Sequence, residues 1–227
     1  MGTITGTALI NTVATLLYDT NNVRWSRAEL QGYVNDGQRA MVSVLPSVTS
    51  GVSVVALVAG TRQALPADGW MMLEVTRNMG TDGSTPGRAV RRADMTVLDE
   101  SNPDWQTDTP DAEAKSYMYN ARDRASFYVH PPSTGTNYVE VIYSIYPTEQ
   151  AEAAAIIVDD VYGPALQDYI MWRAYSKSAD YANGAQAEQH LVSFQTFLSG
   201  NGVSVAKLSG EMGMRNYEPN QGQGAGG

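Results

Sequence analysis

The N-terminal residues carry the spacing of apolar side chains that is typical of amphipathic helices. In residues 7–20 the apolar positions recur at intervals of three and four, which predicts one helix. The capping pattern of Ser26 and Glu29 predicts the start of a second helix, and Pro46 predicts its end. We therefore expect two consecutive helices in this part of the chain.

From Pro46 to Pro147 the apolar residues recur at every second position instead, which is typical of β-strands. The strands predicted from this pattern are 52–58, 70–78, 122–130 and 138–146. The last two are expected to form a hairpin, and a short helical piece is expected around residues 94–101. Because no long helices separate the strands, the pattern favours a small sheet or sandwich over a parallel α/β sheet.

Helical spacing returns after residue 159. It predicts one helix to about residue 183 and a last helix that Gly200 ends. The remaining residues, 201–227, contain seven glycines, and such a composition cannot bury enough apolar surface to fold alone. We expect this segment to be a flexible, extended tail.

Together these elements predict an α+β protein. Two N-terminal and two C-terminal helices would form a four-helix bundle, with an antiparallel β subdomain inserted between the pairs and a flexible C-terminal tail. The predicted divisions are 1–46 for the first helical pair, 47–158 for the β subdomain, 159–200 for the second helical pair and 201–227 for the Gly-rich tail.

Composition and charge exclude several classes of protein. The 227 residues include 24 acidic and 15 basic side chains, a net charge of −9 that argues against a phosphate-gripping surface. The absence of cysteine excludes a disulfide scaffold, an iron–sulfur cluster and a thiolate zinc site. The N-terminus lacks the basic start and uninterrupted apolar stretch of a signal peptide. We expect no membrane segment and synthesis in the cytoplasm.

Candidate catalytic residues are few. Asp159 and Asp160 would suit a glycosidase only if they faced each other across a sugar at about 5–10 Å, which adjacent residues rarely do. We interpret them as acids at the positive end of the following helix. His130 and His190 are distant in sequence, and neither has a serine in a recognisable nucleophile elbow. We expect no enzyme, cofactor or metal, with a hydrolase using Asp159 or Asp160 as an open alternative.

A carbohydrate- or receptor-binding module is a second alternative. Trp105 lies near Asp99, Glu100 and Asp104, and a ring for stacking beside acids for hydroxyl groups suits a sugar. Trp70 and surface tyrosines could extend such a site. The interpretation that we favour is that Trp105 anchors an irregular loop to the core.

The basic residues of the β region form two clusters, which are Arg88, Arg91 and Arg92, and Arg122 and Arg124. They could contact DNA phosphates, but the net charge opposes an auxiliary DNA-binding protein. We favour pairing with carboxylates, either within the subunit or on a neighbour. The 13 tyrosines against 3 phenylalanines also suit surfaces buried against partners. These features indicate a component of an assembly.

Several short motifs follow one another in a distinctive order over residues 24–200. They are Trp25-Ser26-x-x-Glu29-Leu30, Leu65-Pro66-x-Asp68, Leu98-Asp99-x-x-x-Pro103-x-Trp105, Tyr128-Val129-His130-Pro131-Pro132 and Pro164-Ala165-Leu166-x-Asp168-Tyr169, followed by Arg173-Ala174-Tyr175-Ser176-Lys177, Asp180, Ala187, His190 and Phe194. In this order they resemble the head-to-tail adaptor (connector) proteins of short-tailed bacteriophages, the tail tubular protein A type.

The resemblance implies a structural virion protein at the head–tail junction. Its partners would be the portal protein, the tail nozzle protein, tail fibres and further copies of itself, in a ring of about twelve subunits. The ring would continue the DNA channel without binding DNA specifically, and residues 201–227 would reach the portal. The candidate contact residues are Arg88, Arg91, Arg92, Trp105, Arg122, Arg124, Val203, Val205, Leu208, Met212, Met214 and Tyr217.

Overall fold

The computed structural model of the chain describes residues 2–120, 122–177 and 182–215, with only the backbone of residues 201–215. The helices in this part are α1 (Gly6–Leu16), α2 (Arg27–Val44), α3 (Met95–Ser101), α4 (Gly163–Tyr175) and α5 (Gly184–Arg215). The strands are β1 (Ser50–Ala56), β2 (Gly60–Ala64), β3 (Gly69–Asn78), β4 (Arg91–Arg92), β5 (Ser116–Met118), β6 (Ser126–Ser133) and β7 (Tyr138–Ile145).

Local hydrogen bonds explain where the first helices begin and end. The Thr5 hydroxyl accepts from the Ala8 N–H and caps α1. The Ser26 hydroxyl accepts from the Glu29 N–H at 3.3 Å and caps α2, which confirms the start predicted from the sequence. α2 ends at Val44, directly before the turn that Pro46 opens, so the predicted end is confirmed as well.

The helices share one apolar core, in which α2 and α4 approach closely. A β-carbon added at Gly37 of α2 would lie 2.9 Å from Cδ1 of Tyr169 and would also meet Leu166, both on α4. Trp25 lies in the same core and donates its indole N–H to the carbonyl of Ala174 at the end of α4. Glycine at position 37 therefore sets the spacing of the two helices.

An extended segment, rather than a helix, closes part of this core. Ile156 and Val158 are buried among the helices, and the Ile156 N–H donates to the carbonyl of Ile4 at 2.8 Å. The Ile157 N–H donates to the Gln38 side chain on α2 at 2.7 Å. This segment therefore belongs to the helical core, although the sequence analysis placed it at the end of the β subdomain.

The prediction of a four-helix bundle with an inserted β subdomain is wrong. The described residues form five helices and two separate sheets, and the helical core is completed by the extended residues around Ile156. Periodicity identified most of the helices but not their packing partners. The predicted flexible tail is also wrong in its first part, because α5 continues past Gly200 to Arg215. Residues 216–227 lie outside the described part. The domain boundaries stay a prediction.

Two sheets pack face to face around a second apolar core. The strand orders are β1-β7-β3 in the first sheet and β2-β6-β5-β4 in the second, where only β4 and β5 run parallel. Val75 and Val141 of the first sheet meet Phe127 and Val129 of the second in this core. The pairing is therefore a sandwich, one of the two arrangements favoured by the sequence.

The predicted hairpin of β6 and β7 is wrong, although both strands are present. β6 pairs with β2 and β5, while β7 pairs with β1 and β3, so the two strands belong to different sheets. The connection turns at Gly135, which has a φ of +81°, and the Ser133 hydroxyl donates to the Asn137 side chain at 2.7 Å. The alternation of apolar residues identifies a strand but does not determine its partner.

Candidate assembly surfaces

An arginine-rich segment joins the two sheets at one edge of the sandwich. On one side the Asn78 N–H of β3 donates to the carbonyl of Arg88 at 2.9 Å. On the other side the Arg91 N–H donates to the carbonyl of Lys115 at 3.1 Å, next to β5. The buried Asn78 amide strengthens this edge, because it bonds the backbone of both Arg88 and Ala114. The segment's arginines are thus presented on a firmly held backbone.

The five arginines of the two predicted clusters are exposed, and none forms an ion pair with a described carboxylate. The guanidinium of Arg92 lies 4.8 Å from the ring centroid of Tyr119, and that of Arg124 lies 5.5 Å from the ring centroid of Trp70. These cation–π contacts orient the two side chains without neutralising them. Arg88, Arg91 and Arg122 are exposed as well. Of the two pairings left open by the sequence, pairing within the subunit is therefore absent from the described residues.

Trp105 is fully buried, so its ring cannot stack on a ligand at the surface. Its indole N–H donates to the Asp99 carboxylate at 2.7 Å, which ties the loop to α3. The nearest recess, of about 640 Å³, is lined by Arg92, Asp94 and Asp99 among others and not by a tryptophan. Trp105 is therefore a loop anchor, as the favoured interpretation had it. We no longer count its ring among the contact residues.

The adjacent carboxylates after the extended segment have structural roles. Asp159 accepts from the Val161 N–H at 3.1 Å and caps the turn that leads into α4. Asp160 accepts from the hydroxyl and N–H of Thr3 and from the N–H of Ile4, and the Thr3 hydroxyl bond is the main cause that lowers the pKa of Asp160. The two carboxylates thus hold different backbone segments rather than facing a common substrate position.

Each histidine is paired with one carboxylate. His130 Nε2 lies 2.9 Å from Asp108, and this bond lowers the pKa of Asp108. His190 Nδ1 on α5 lies 2.8 Å from Asp168 on α4. Within the described residues, no group of three or more His, Asp or Glu side chains is placed to hold a metal ion.

The loop between α1 and α2 exposes apolar side chains that the sequence analysis did not single out. Tyr18 is 94% exposed and Val23 is 83% exposed. Asp19, which is buried between them, accepts hydrogen bonds from the N–H groups of Val23, Arg24 and Trp25 at 2.8–3.0 Å. The run Asp19-Thr20-Asn21-Asn22 does predict a loop, but nothing in it predicts that the neighbouring apolar residues point outwards.

A groove lies at the opposite end of α2, where the chain passes into β1. Its volume is about 430 Å³, and its apolar walls come from Val48, Ile145, Ile157, Val161 and Tyr162. Asp159 is the only charged residue among those that line it. Val161 is 60% exposed, so the groove is open to a partner.

β1 is an edge strand whose outer side carries no described strand. Since the Leu57 N–H bonds to Asn137, the alternation of an antiparallel pair turns the N–H and C=O groups of Val52 and Val54 away from β7. The side chain of Val52 is 65% exposed, and β1 contains no charged residue or proline of the kind that protects free edges. β1 is therefore a third surface suited to contact with a partner.

The candidate contact residues of the C-terminal segment lie largely outside what the structure can place. Val203, Val205, Leu208, Met212 and Met214 fall on the helical backbone of α5, but their side chains are not described. Tyr217 lies outside the described residues. Among the described residues, no helix has both the length and the apolar character needed to cross a bilayer.

Comparison with known families identifies the kind of protein that carries these surfaces. The profile of the SU10 adaptor protein family matches residues 4–213, from the start of α1 nearly to the end of α5. The chain belongs to this family. The resemblance to phage head-to-tail adaptors is therefore confirmed, and the membership makes the chain a structural adaptor protein and a virion component that contacts other head and tail proteins. No individual curated protein sequence matches it significantly.

Proposed function

We propose that this SU10 adaptor family member forms a ring between the portal and the tail nozzle and continues the DNA channel between them. The main support is the family match over residues 4–213, which makes the chain a phage adaptor. A ring of about twelve copies, attachment of tail fibres and assembly in the host cytoplasm belong to the same proposal. We assign no catalytic step to it, because Asp159, Asp160, His130 and His190 all have structural partners.

The exposed arginines are the proposed contacts with neighbouring subunits or tail proteins. In an acidic chain, five arginines without a described carboxylate partner are suited to carboxylates on another protein. Since each copy carries a charge of −9, copies repel one another unless opposite charges meet locally. The same acidity suits a channel that DNA crosses without binding, because DNA is repelled by like charge.

The C-terminal residues 201–227 are the proposed link to the portal. Their first part continues α5 away from the contact with α4 that His190 and Phe194 make, which leaves a helical extension for a partner. Deletion of residues 203–227 should leave a folded subunit that no longer joins the portal. Circular dichroism would check the fold, and normal joining to the portal would contradict the proposal.

The arginine contacts can be tested in particles assembled with the portal and viewed by electron microscopy. Changing Arg88, Arg91 and Arg92 together to glutamine should prevent a complete ring. Arg62→Gln is the matched control, because Arg62 is also exposed but already pairs with Asp123 at 2.8 Å. Rings that form equally with both variants would rule out these arginines as contacts, while discrete monomers of the unchanged chain beside portals would rule out the ring itself.

A further inference from the structure

The most prominent unexplained feature is the loop that presents Tyr18 and Val23 to solvent. We refer to these two side chains, with Leu16 at the end of α1, as the knob. All three are apolar and at least half exposed or close to it, which is unusual for adjacent positions of one loop. Nothing in the described part of the subunit covers them. A knob of this kind is typical of a contact that another protein completes.

The loop backbone is held rigidly in an unfavourable conformation. Tyr18 and Asn22 both have a φ of +54°, a region that residues other than glycine rarely adopt. The conformation persists because the Asp19 carboxylate binds three successive N–H groups and Trp25 is locked into the helical core. Non-glycine residues held in this region cluster at functional sites. The knob is thus prepared for binding before a partner arrives.

A complementary surface exists on the same chain. The groove beyond the end of α2 has apolar walls, and its volume of about 430 Å³ exceeds that of a tyrosine and a valine side chain together. Its one charged residue is Asp159, whereas the exposed charge beside the knob is that of Arg24. The two surfaces therefore match in both polarity and charge.

The knob of one copy cannot reach the groove of the same copy. The knob precedes the first residue of α2, and the groove follows its last, and an 18-residue helix separates them by about 27 Å. Contact between them must therefore join two copies head to tail. A contact of this kind uses two different surfaces, and it produces a closed ring when the rotation between copies is suitable.

We infer that the knob formed by Leu16, Tyr18 and Val23 inserts into the groove between Val48, Ile145 and Val161 of the next copy and so sets the subunit order in the ring. The inference rests on the proposed ring and names its contact. The arginine segment and the edge of β1 lie elsewhere on the sandwich and are free to meet other partners.

The absence of cysteine allows a direct test by cross-linking. A full-length Tyr18→Cys/Val161→Cys variant should give a ladder of disulfide-linked oligomers on mild oxidation, ending at the size of the ring seen by electron microscopy. Each single variant can give dimers at most. The matched control is Tyr18→Cys/Val192→Cys, because Val192 is a similarly exposed valine on α5 and should give no ladder. Tyr18→Ala should reduce ring formation at least tenfold without changing the circular dichroism spectrum.

Each other result overturns the inference. Rings that form normally with Tyr18→Ala, or that form without an 18–161 ladder, show that the ring exists and uses a different contact. A disulfide that forms within a monomer shows that the two positions are neighbours in one copy. A chain that gives neither rings nor a ladder at millimolar concentration or with the portal contradicts this contact and the proposed ring together.

Discussion

The close approach of α2 and α4 makes a sharp prediction about two glycines on one helix. Gly32 and Gly37 both lie inside α2, but a β-carbon at Gly32 would meet no other atom within 4 Å. At Gly37 it would lie 2.9 Å from the ring of Tyr169, closer than real β-carbons come to a neighbour. The same substitution, glycine to alanine, should therefore have opposite effects at the two positions.

The magnitude follows from two contributions. Replacing a glycine inside a helix by alanine stabilises the folded state by about 0.5–1 kcal/mol, and this gain applies at both positions. At Gly37 the added methyl group must displace Leu166 and Tyr169, which are enclosed by the helical core, and overpacking of this kind costs about 1–3 kcal/mol. Subtracting one variant from the other cancels the shared gain, so the difference in the free energy of unfolding should be about 1–3 kcal/mol.

The assay is thermal and urea unfolding of the wild-type, Gly32→Ala and Gly37→Ala proteins. Gly32→Ala should raise the melting temperature, and Gly37→Ala should lie at least ~2 °C below it, given about 2–4 °C per kcal/mol for a chain of this size. Circular dichroism would show that the helix content is unchanged. If both variants are stabilised equally, α2 and α4 do not pack at Gly37 as described, and the account of the helical core fails.

Three further predictions concern individual hydrogen bonds. Burial, followed by the bond to Glu29, raises the pKa of Tyr33 to about 12, so this contribution to stability is complete below pH ~10 and is lost as the pH rises towards about 12; urea unfolding across this range should be less pH-dependent for Tyr33→Phe, and equal slopes would contradict the assignment. Burial alone would raise the pKa of Asp19, but the loop N–H groups outweigh it and lower the pKa, so its contribution is present above pH ~4 and lost in acid; Asp19→Ala should cost about 1–3 kcal/mol at neutral pH, and an unchanged melting temperature would show that the loop is not held this way. Trp105→Phe removes the bond to Asp99 and should cost about 1–3 kcal/mol in the same assay, whereas no loss would mean that the indole N–H does not anchor α3.

The sequence was informative wherever a local cause determines the structure. The cap of α2 at Ser26, its end before Pro46 and the short helix α3 all follow from neighbouring residues, and each was predicted close to its observed position. The strand over residues 70–78 was also predicted closely, because its alternation is long enough to be distinctive. In contrast, β2, β4 and β5 are only two to five residues long and carry too short a pattern to detect.

The errors concern partners that lie far apart in the sequence. No local signal assigns β6 and β7 to different sheets, because both strands alternate in the same way and the turn between them is short. The same limit applies to the extended residues around Ile156, whose apolar side chains would suit either core. The predicted end of the last helix at Gly200 failed for another reason: a single glycine costs a helix only about 1 kcal/mol, which neighbouring helix formers can offset.

The candidate contacts divide in the same way. The arginine clusters could be identified from the sequence because charged residues are rare in this chain, 17% of the total, and basic ones rarer still. The knob could not, because a tyrosine and a valine beside a polar loop are as common in cores as on surfaces. Only the placement of Asp19, which turns the loop backbone around its carboxylate, determines that Tyr18 faces solvent.

The two kinds of contact respond differently to salt, and this separates their roles. Arginine–carboxylate pairs at a rim are screened as the Debye length falls from about 10 Å at 0.1 M to about 3 Å at 1 M salt, while the repulsion between copies of charge −9 is screened as well. The burial of Tyr18 and Val23 in an apolar groove is not weakened by salt. An assembly held mainly by the knob should therefore persist or strengthen at 1 M salt, whereas one held mainly by Arg88, Arg91 and Arg92 should dissociate. Since a ring must first overcome the repulsion between its acidic subunits, the apolar contact is the one suited to hold neighbours together, and the arginines are suited to select the partner that approaches.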